Sequence, residues 1–164
     1  MIAVKYGRLE RERKFLLAGV PDLPSGAEEI YIVDTYFQNT RLRLRETRTP
    51  GGEAAFKLTF KHQLSSDQHW INSFSIDAGE ARLLRSRLDG AELRKTRWRW
   101  AEENDRMLCV DIFDGALRGL CVLEVEAMSD EHLQSFQPAM PVATEITSDI
   151  LFSGGHLAVH GRPI

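Results

Sequence analysis

Only two cysteines occur in this sequence, Cys109 and Cys121. Both sit inside apolar runs, without the C-x-x-C spacing of a metal or redox pair. They read as buried thiols of a reducing compartment, and a disulfide framework is excluded. No apolar run approaches the ~20 residues that a membrane-spanning helix needs. The N-terminus lacks the basic-then-apolar pattern of a secretory signal, so a cytoplasmic location is expected. The net charge is only −3, which gives no global reason to expect nucleic acid or a membrane as partner. There is no internal repeat, no low-complexity tract and no linker long enough to divide the chain. With 164 residues, 43% of them hydrophobic and 27% charged, a single domain over 1–164 is expected.

What the sequence does have is charge in strict alternation. The stretch Leu9 to Leu17 reads L-E-R-E-R-K-F-L-L. As a strand it places Glu10, Glu12 and Lys14 on one face, within roughly 13 Å of each other. Carboxylate oxygens are the hard donors that Mg²⁺ or Mn²⁺ prefers, and the ammonium suits phosphate as a compact point charge. By itself the stretch also fits a solvated, charged edge strand.

Further segments repeat the pattern. Glu29–Phe37 is rich in Ile, Val, Tyr and Phe and reads as a strand. Arg41 to Arg45 reads R-L-R-L-R, with Leu42 and Leu44 on one face and Arg41, Arg43 and Arg45 on the other. Such a row of guanidiniums needs anions nearby. A loop with Pro50, Gly51 and Gly52 leads to Ala54–Lys61, where Phe56, Leu58 and Phe60 oppose Lys57, Thr59 and Lys61. His69–Asp77 is a fifth strand. Asp77 to Gly90 reads as a helix, capped by Asp77 with Glu80, faced by Ala81, Leu84 and Leu88, and closed by Gly90. Leu93–Trp100 sets Lys95, Arg97 and Arg99 against Arg94, Thr96, Trp98 and Trp100. Rings between basic residues suit stacking on nucleic acid, but here rings and cations take opposite faces. Leu108–Phe113 is apolar except for Asp111, which therefore needs a cation or a metal. Leu120–Ala127 carries a second same-face pair, Glu124 and Glu126. A short helix over Ser129–Gln137 stops before Pro138. A short helix and tail complete the chain to Ile164.

In order along the chain these motifs resemble the CYTH domain, the triphosphate tunnel metalloenzyme family. The resemblance rests on E-x-E-x-K at Glu10–Lys14, Tyr36-Phe37, R-x-R at Arg43–Arg45, T-x-K at Thr59–Lys61, K-T-R at Lys95–Arg97, V-D-I-F at Val110–Phe113, E-x-E at Glu124–Glu126 and E-I-T-S-D at Glu145–Asp149. It implies an α+β fold, mainly antiparallel, in which an eight-stranded closed tunnel has a charged lumen and a few helices packed outside. It implies metal-dependent hydrolysis of a triphosphate, with inorganic tripolyphosphate or a nucleoside or other organic triphosphate as substrate and Mg²⁺ or Mn²⁺ as cofactor. Glu10, Glu12 and Glu126 are the implied catalytic residues. Glu10, Glu12, Asp111, Glu124 and Glu126 are the implied metal ligands. Lys14, Arg43, Arg45, Lys61, Lys95 and Arg97 are the implied phosphate grip. The partner is a triphosphate-containing small molecule or polyphosphate; no membrane and no nucleic acid are expected, and a homodimer is left open.

The chain departs from the family pattern in two places. Where the family carries R-x-E-x-E, this sequence has His69, Ile71 and Ser73. After Asp149 the usual basic residue, tyrosine, serine and asparagine are Leu151, Phe152, Ser153 and Gly154. The alternatives to a hydrolase are an adenylate cyclase of the same family and a non-catalytic module that binds polyphosphate or nucleotide.

Overall fold

Strand alternation governs the architecture of the computed structural model, which describes residues 6–163. The end of the expected tail, Ile164, lies outside the described residues. The strands are β1 (Arg8–Leu17), β2 (Glu28–Phe37), β3 (Leu42–Arg48), β4 (Ala55–Gln63), β5 (Gln68–Ile76), β6 (Gly90–Glu102), β7 (Arg106–Phe113), β8 (Cys121–Ala127) and β9 (Val142–Glu145). The helices are α1 (Ala78–Arg87), α2 (Asp130–Gln134) and α3 (Gly154–His160). Neighbouring strands run in the order β5-β4-β3-β2-β6-β7-β8-β1, and β1 pairs back onto β5. Eight antiparallel strands thus close into a barrel, which removes the free edges of the sheet. β9 lies outside the ring.

The closure falls at the opening stretch of the sequence. The first half of β1 pairs with β5, matching Glu10 with His69. From Glu12 onward β1 pairs with β8, matching Glu12 with Glu126 and Lys14 with Glu124. Once β5 has diverged, β9 takes the vacated edge at Phe15–Leu17. β1 is therefore paired along its whole length, with β5 at its start and with β8 and β9 further on, and its charged face points into the barrel.

The apolar faces point outward and are covered. Phe15, Leu17, Leu108, Val110, Leu123 and Val125 pack beneath Leu133 of α2 and Phe136 just after it. Phe37, Leu44 and Ala81, with Leu42, Phe56, Leu58 and Leu84, form the contact between α1 and the opposite wall. Burying such a side chain contributes about 1.5–3 kcal/mol, so these two faces hold the wall in register. Asp77 caps α1 through a reciprocal pair with Glu80. The helix stops earlier than expected, at Arg87, with Leu88 as its extended C-cap. Gly90 does not close the helix; it opens β6 opposite Phe37. A Cβ there would lie 2.7 Å from Thr35 Cγ2 and 3.3 Å from Phe37 Cδ1, so close strand approach, not a helix stop, requires the glycine.

A third apolar cluster lies at one mouth of the barrel. Leu93, Phe113 and Val122 share strand faces with Lys95, Asp111 and Glu124, and they pack with Ile146 and with Leu157 of α3. α3 thus covers the mouth, while α1 and α2 pack on the outer wall. Tyr36 reaches under it: a Cβ on Gly154 would fall 1.9 Å from the Tyr36 hydroxyl.

Candidate active site

The barrel encloses a cavity of about 640 Å³ whose walls carry both signs of charge. β1 and β8 supply the acidic wall. Glu10, Glu12, Glu124 and Glu126 converge there although they are far apart in sequence, because the β1–β8 register sets the two E-x-E pairs side by side. β3, β4 and β6 supply the basic wall.

Cations hold the acidic wall together. The Lys61 ammonium on β4 lies 2.8 Å from Glu10 Oε2 and 2.6 Å from Glu12 Oε1. Lys14 lies 3.4 Å from Glu12 and 3.5 Å from Glu124. Burial alone would raise the Glu12 carboxyl, but Lys14 and Lys61 outweigh it and hold it at about 2. Glu124 is likewise kept well below the carboxylate range against its burial, by Arg97 and Lys14. Lys14 is raised in turn, since Glu12 and Glu124 more than offset its burial. Glu126 behaves oppositely. Burial, then the charge of the adjacent Glu10 to which it is hydrogen-bonded, push it up to about 7.

Two buried aspartates organise the basic wall. Asp34 is fully buried and accepts two bonds from Arg45, at 2.7 and 2.6 Å, while Arg43 stands 3.7 Å away. Its burial is outweighed by Arg45 and Arg43, and it remains ionised far below its usual range. Asp111 is also fully buried. The resemblance implies it as a metal ligand; here it is held by cations of the basic wall: Lys95 donates to it, and Arg97 donates to it twice, at 2.6 and 2.7 Å. Arg97 also donates to Glu124. Burial depresses the Lys95 ammonium despite Asp111.

The implied phosphate-binding residues Lys14, Arg43, Arg45, Lys61, Lys95 and Arg97 all line this cavity. Arg43 keeps the most unused capacity, for its Nε is buried without a hydrogen-bond partner. Of the three other basic residues named from alternation, Arg41 also lines the cavity, whereas Lys57 and Arg99 do not. Arg41 sits at the rim, 4.5 Å over the Phe60 ring. Lys57 is exposed. Arg99 pairs with Glu28.

Sequence reasoning passed over Asp34 and Arg8. Asp34 is a charged intruder in an apolar strand, the same pattern that singled out Asp111. Arg8 extends the β1 alternation one step back, and it reaches Glu10 at 3.6 Å and Glu126 at 3.5 Å. His69 faces the same cluster. Its Nδ1 is 3.6 Å from Glu12 Oε1 and is buried without a hydrogen-bond partner. One ligand atom each from Glu10, Glu12 and His69 all lie within 4.8 Å of one another.

No model of a known protein family matches the chain. A relative described as inorganic triphosphatase, from Nitrosomonas europaea, is 30% identical over 152 residues, which span 92% of this chain and 97% of that protein. The crystal structure of the inorganic triphosphatase NE1496 is similar with a TM-score of 0.60 and 26% identity, over 94% of this chain and 97% of that one. The PH1819 protein of Pyrococcus horikoshii OT3 shares the fold, with a TM-score of 0.55 and 19% identity, over 76% of this chain and 82% of its own.

Proposed function

The chain belongs to the CYTH, or triphosphate tunnel metalloenzyme, family, and from that premise we propose that it hydrolyses a phosphoanhydride bond of a small triphosphate, inorganic tripolyphosphate first, with Mg²⁺ or Mn²⁺ bound in the barrel. The observation that carries this reading is one cavity with an acidic wall on β1 and β8 facing a basic wall on β3, β4 and β6. Phosphoryl transfer asks little covalent chemistry of a protein; it asks for positioning and charge stabilisation. Arg43, Lys14, Lys61, Lys95 and Arg97 offer donors to phosphate oxygens. Asp34 and Asp111 hold the partners of that set in place, so little ordering is left to the moment of binding.

The acidic wall fits a divalent cation. The Lys61 ammonium already bridges Glu10 and Glu12, which marks a cation position between two hard carboxylates. Glu10 and Glu12 would hold the ion, with Glu124 and Glu126 beside them. When bound, such an ion polarises phosphate oxygens and lowers the pKa of coordinated water. Glu126, ionising at about 7, is the carboxyl of the set suited to accept a proton near neutral pH. Water attack at a terminal phosphorus breaks the P–O–P bridge and leaves orthophosphate and pyrophosphate.

Phosphate release from tripolyphosphate and from ATP, with Mg²⁺, with Mn²⁺ and after chelation, tests the reading. Metal-dependent release from tripolyphosphate is expected. Cyclic AMP formed from ATP would instead assign a cyclase. Binding of tripolyphosphate with no release under either metal would make the chain a binding module, with Ile71 and Ser73, where the family has carboxylates, as the departure responsible.

A further inference from the structure

We propose that His69 is a ligand of the lumen metal, and that this nitrogen donor tunes the site toward Mn²⁺ and Co²⁺ over Mg²⁺. The inference rests on the reading that the barrel holds a divalent cation; it adds a ligand on β5 and a metal preference.

Geometry places the imidazole. His69 is the cross-strand partner of Glu10 at the seam where β5 closes the barrel on β1. Its ring faces the lumen, and the Nδ1 atom is buried, without a hydrogen-bond partner, 3.6 Å from Glu12 Oε1. A buried ring nitrogen left unpaired costs free energy unless something occupies the space in front of it. That space adjoins a cation position, because the same Glu12 oxygen and Glu10 Oε2 hold the Lys61 ammonium at 2.6 and 2.8 Å. One ligand atom each from Glu10, Glu12 and His69 lies within 4.8 Å of the others. The ammonium is then a placeholder that a dication displaces, which frees Lys61 for phosphate.

The rest of β5 strengthens the assignment. Its next two lumen-facing positions are Ile71, buried, and Ser73, hydrogen-bonded to Thr59 at 2.8 Å. Neither is a carboxylate. Among the lumen-facing residues of β5, the imidazole of His69 is the strong metal donor. Two carboxylates and one imidazole form a mixed oxygen and nitrogen set. Carboxylate and water suit Mg²⁺ and Mn²⁺, whereas imidazole adds affinity for first-row transition metals and little for Mg²⁺.

The test uses the full chain without substrate. Mn²⁺, Co²⁺ and Mg²⁺ are titrated by calorimetry into wild type, His69→Gln and His69→Arg, and the Mn²⁺ form is examined by pulsed EPR with natural-abundance and ¹⁵N-histidine protein. A histidine nitrogen coupling is expected in wild type and in neither variant. Mn²⁺ and Co²⁺ affinity should fall at least about tenfold in His69→Gln, the lower end of what even outer-shell partners are worth. Mg²⁺ affinity should change less. Wild-type Mn²⁺ bound with no nitrogen coupling, or no Mn²⁺ binding at all, overturns the proposal. So does equal Mn²⁺ affinity in wild type and variants. If His69→Gln fails to fold, His69→Arg offers Glu10 and Glu12 a guanidinium in place of the ring, and the isotope-dependent coupling in wild type decides independently of both. The two readings separate cleanly. Nitrogen coupling without tripolyphosphate cleavage supports the ligand and sinks the hydrolase. Mg²⁺-dependent cleavage without coupling does the reverse.

Discussion

Glu12 and Glu126 are cross-strand partners on β1 and β8, yet they ionise at opposite ends of the scale, at about 2 and about 7. The difference lies in what each side chain meets. Lys14 and Lys61 surround Glu12, whereas Glu126 meets the carboxyl of Glu10 and, among the described residues, has the exposed Arg8 at 3.5 Å to offset it. Neighbouring titratable groups pushed apart in this way separate acid from base roles within one site.

The raised Glu126 pKa makes the metal-free fold lose stability as pH rises. The folded carboxyl retains its proton up to about 7, whereas the unfolded one releases it near the ordinary 4.5. The unfolded state therefore binds fewer protons across that window, and the contribution is full below pH ~4.5 and lost through pH ~7. The side chain is 37% exposed, so solvent screening reduces the effect to on the order of 1–2 kcal/mol. Glu126→Gln should match wild type in denaturant unfolding at pH 4.5 and exceed it by that amount at pH 8. Equal stability at both pH values would mean that Glu126 is not held between burial and Glu10.

Asp111 should prove to be a stability residue. Asn in its place leaves the buried Lys95 without its paired carboxylate and Arg97 with Glu124 alone, and breaking a buried pair from one side costs about 3–5 kcal/mol. Urea unfolding of metal-free Asp111→Asn should show a loss of that size. Mn²⁺ affinity of the folded variant should fall less than in Glu12→Gln. The reverse pattern, intact stability with abolished metal binding, would return Asp111 to the metal ligands.

Arg43 and Arg45 alternate on one strand face but should fail differently when shortened. Arg45 is spent on Asp34, which it grips at 2.7 and 2.6 Å. Its loss exposes a buried carboxylate, so Arg45→Ala should destabilise by about 3–5 kcal/mol. Arg43 stands 3.7 Å from Asp34 and its buried Nε makes no hydrogen bond, which leaves it donors for phosphate. Arg43→Ala, which removes the more distant of the two cations beside Asp34, should destabilise less than Arg45→Ala and weaken tripolyphosphate binding by about 1.5–3 kcal/mol, the worth of hydrogen bonds to a charged group. Tripolyphosphate titration beside urea unfolding of both variants checks the contrast.

Much of the barrel was legible because its strands obey period two. Arg43 and Arg45 against Leu42 and Leu44, or Thr59 and Lys61 against Leu58 and Phe60, leave one choice of lumen face. The logic of the charged intruder found Asp111 but could not decide between a cation and a metal, since that depends on which strand lies alongside. Here β6 lies alongside, and its Lys95 and Arg97 take the carboxylate. Asp34 carried the same pattern. β9 was not legible as a strand: Val142–Glu145 is four residues long and mostly exposed, too short for periodicity to register. Nor was the place of α3, since its route over the mouth depends on Gly154 giving room to Tyr36, a contact between residues far apart in the chain.

Glu10→Gln is the substitution that separates the charged seam from the chemistry proposed for it. It keeps size and removes one negative charge from the point where β1 meets β5 and β8. Two effects on the metal-free fold oppose each other. Lys61 loses one of two carboxylate partners but keeps Glu12 at 2.6 Å. Glu126 is relieved of the neighbouring charge that, after burial, raises its pKa, so that pKa should fall from about 7 toward 4.5. The metal-free melting temperature should therefore shift by no more than a few degrees, which for a domain of this size is about 1 kcal/mol. Metal affinity should drop, because a neutral amide is a poorer ligand than a carboxylate for a hard dication. Phosphate release from tripolyphosphate with Mg²⁺ or Mn²⁺ should vanish with it. Melting curves without metal, paired with phosphate release in the presence of metal, make the measurement. A variant as active as wild type would show that Glu10 holds no metal and that the seam is charged for the sake of Lys61 and Arg8 alone.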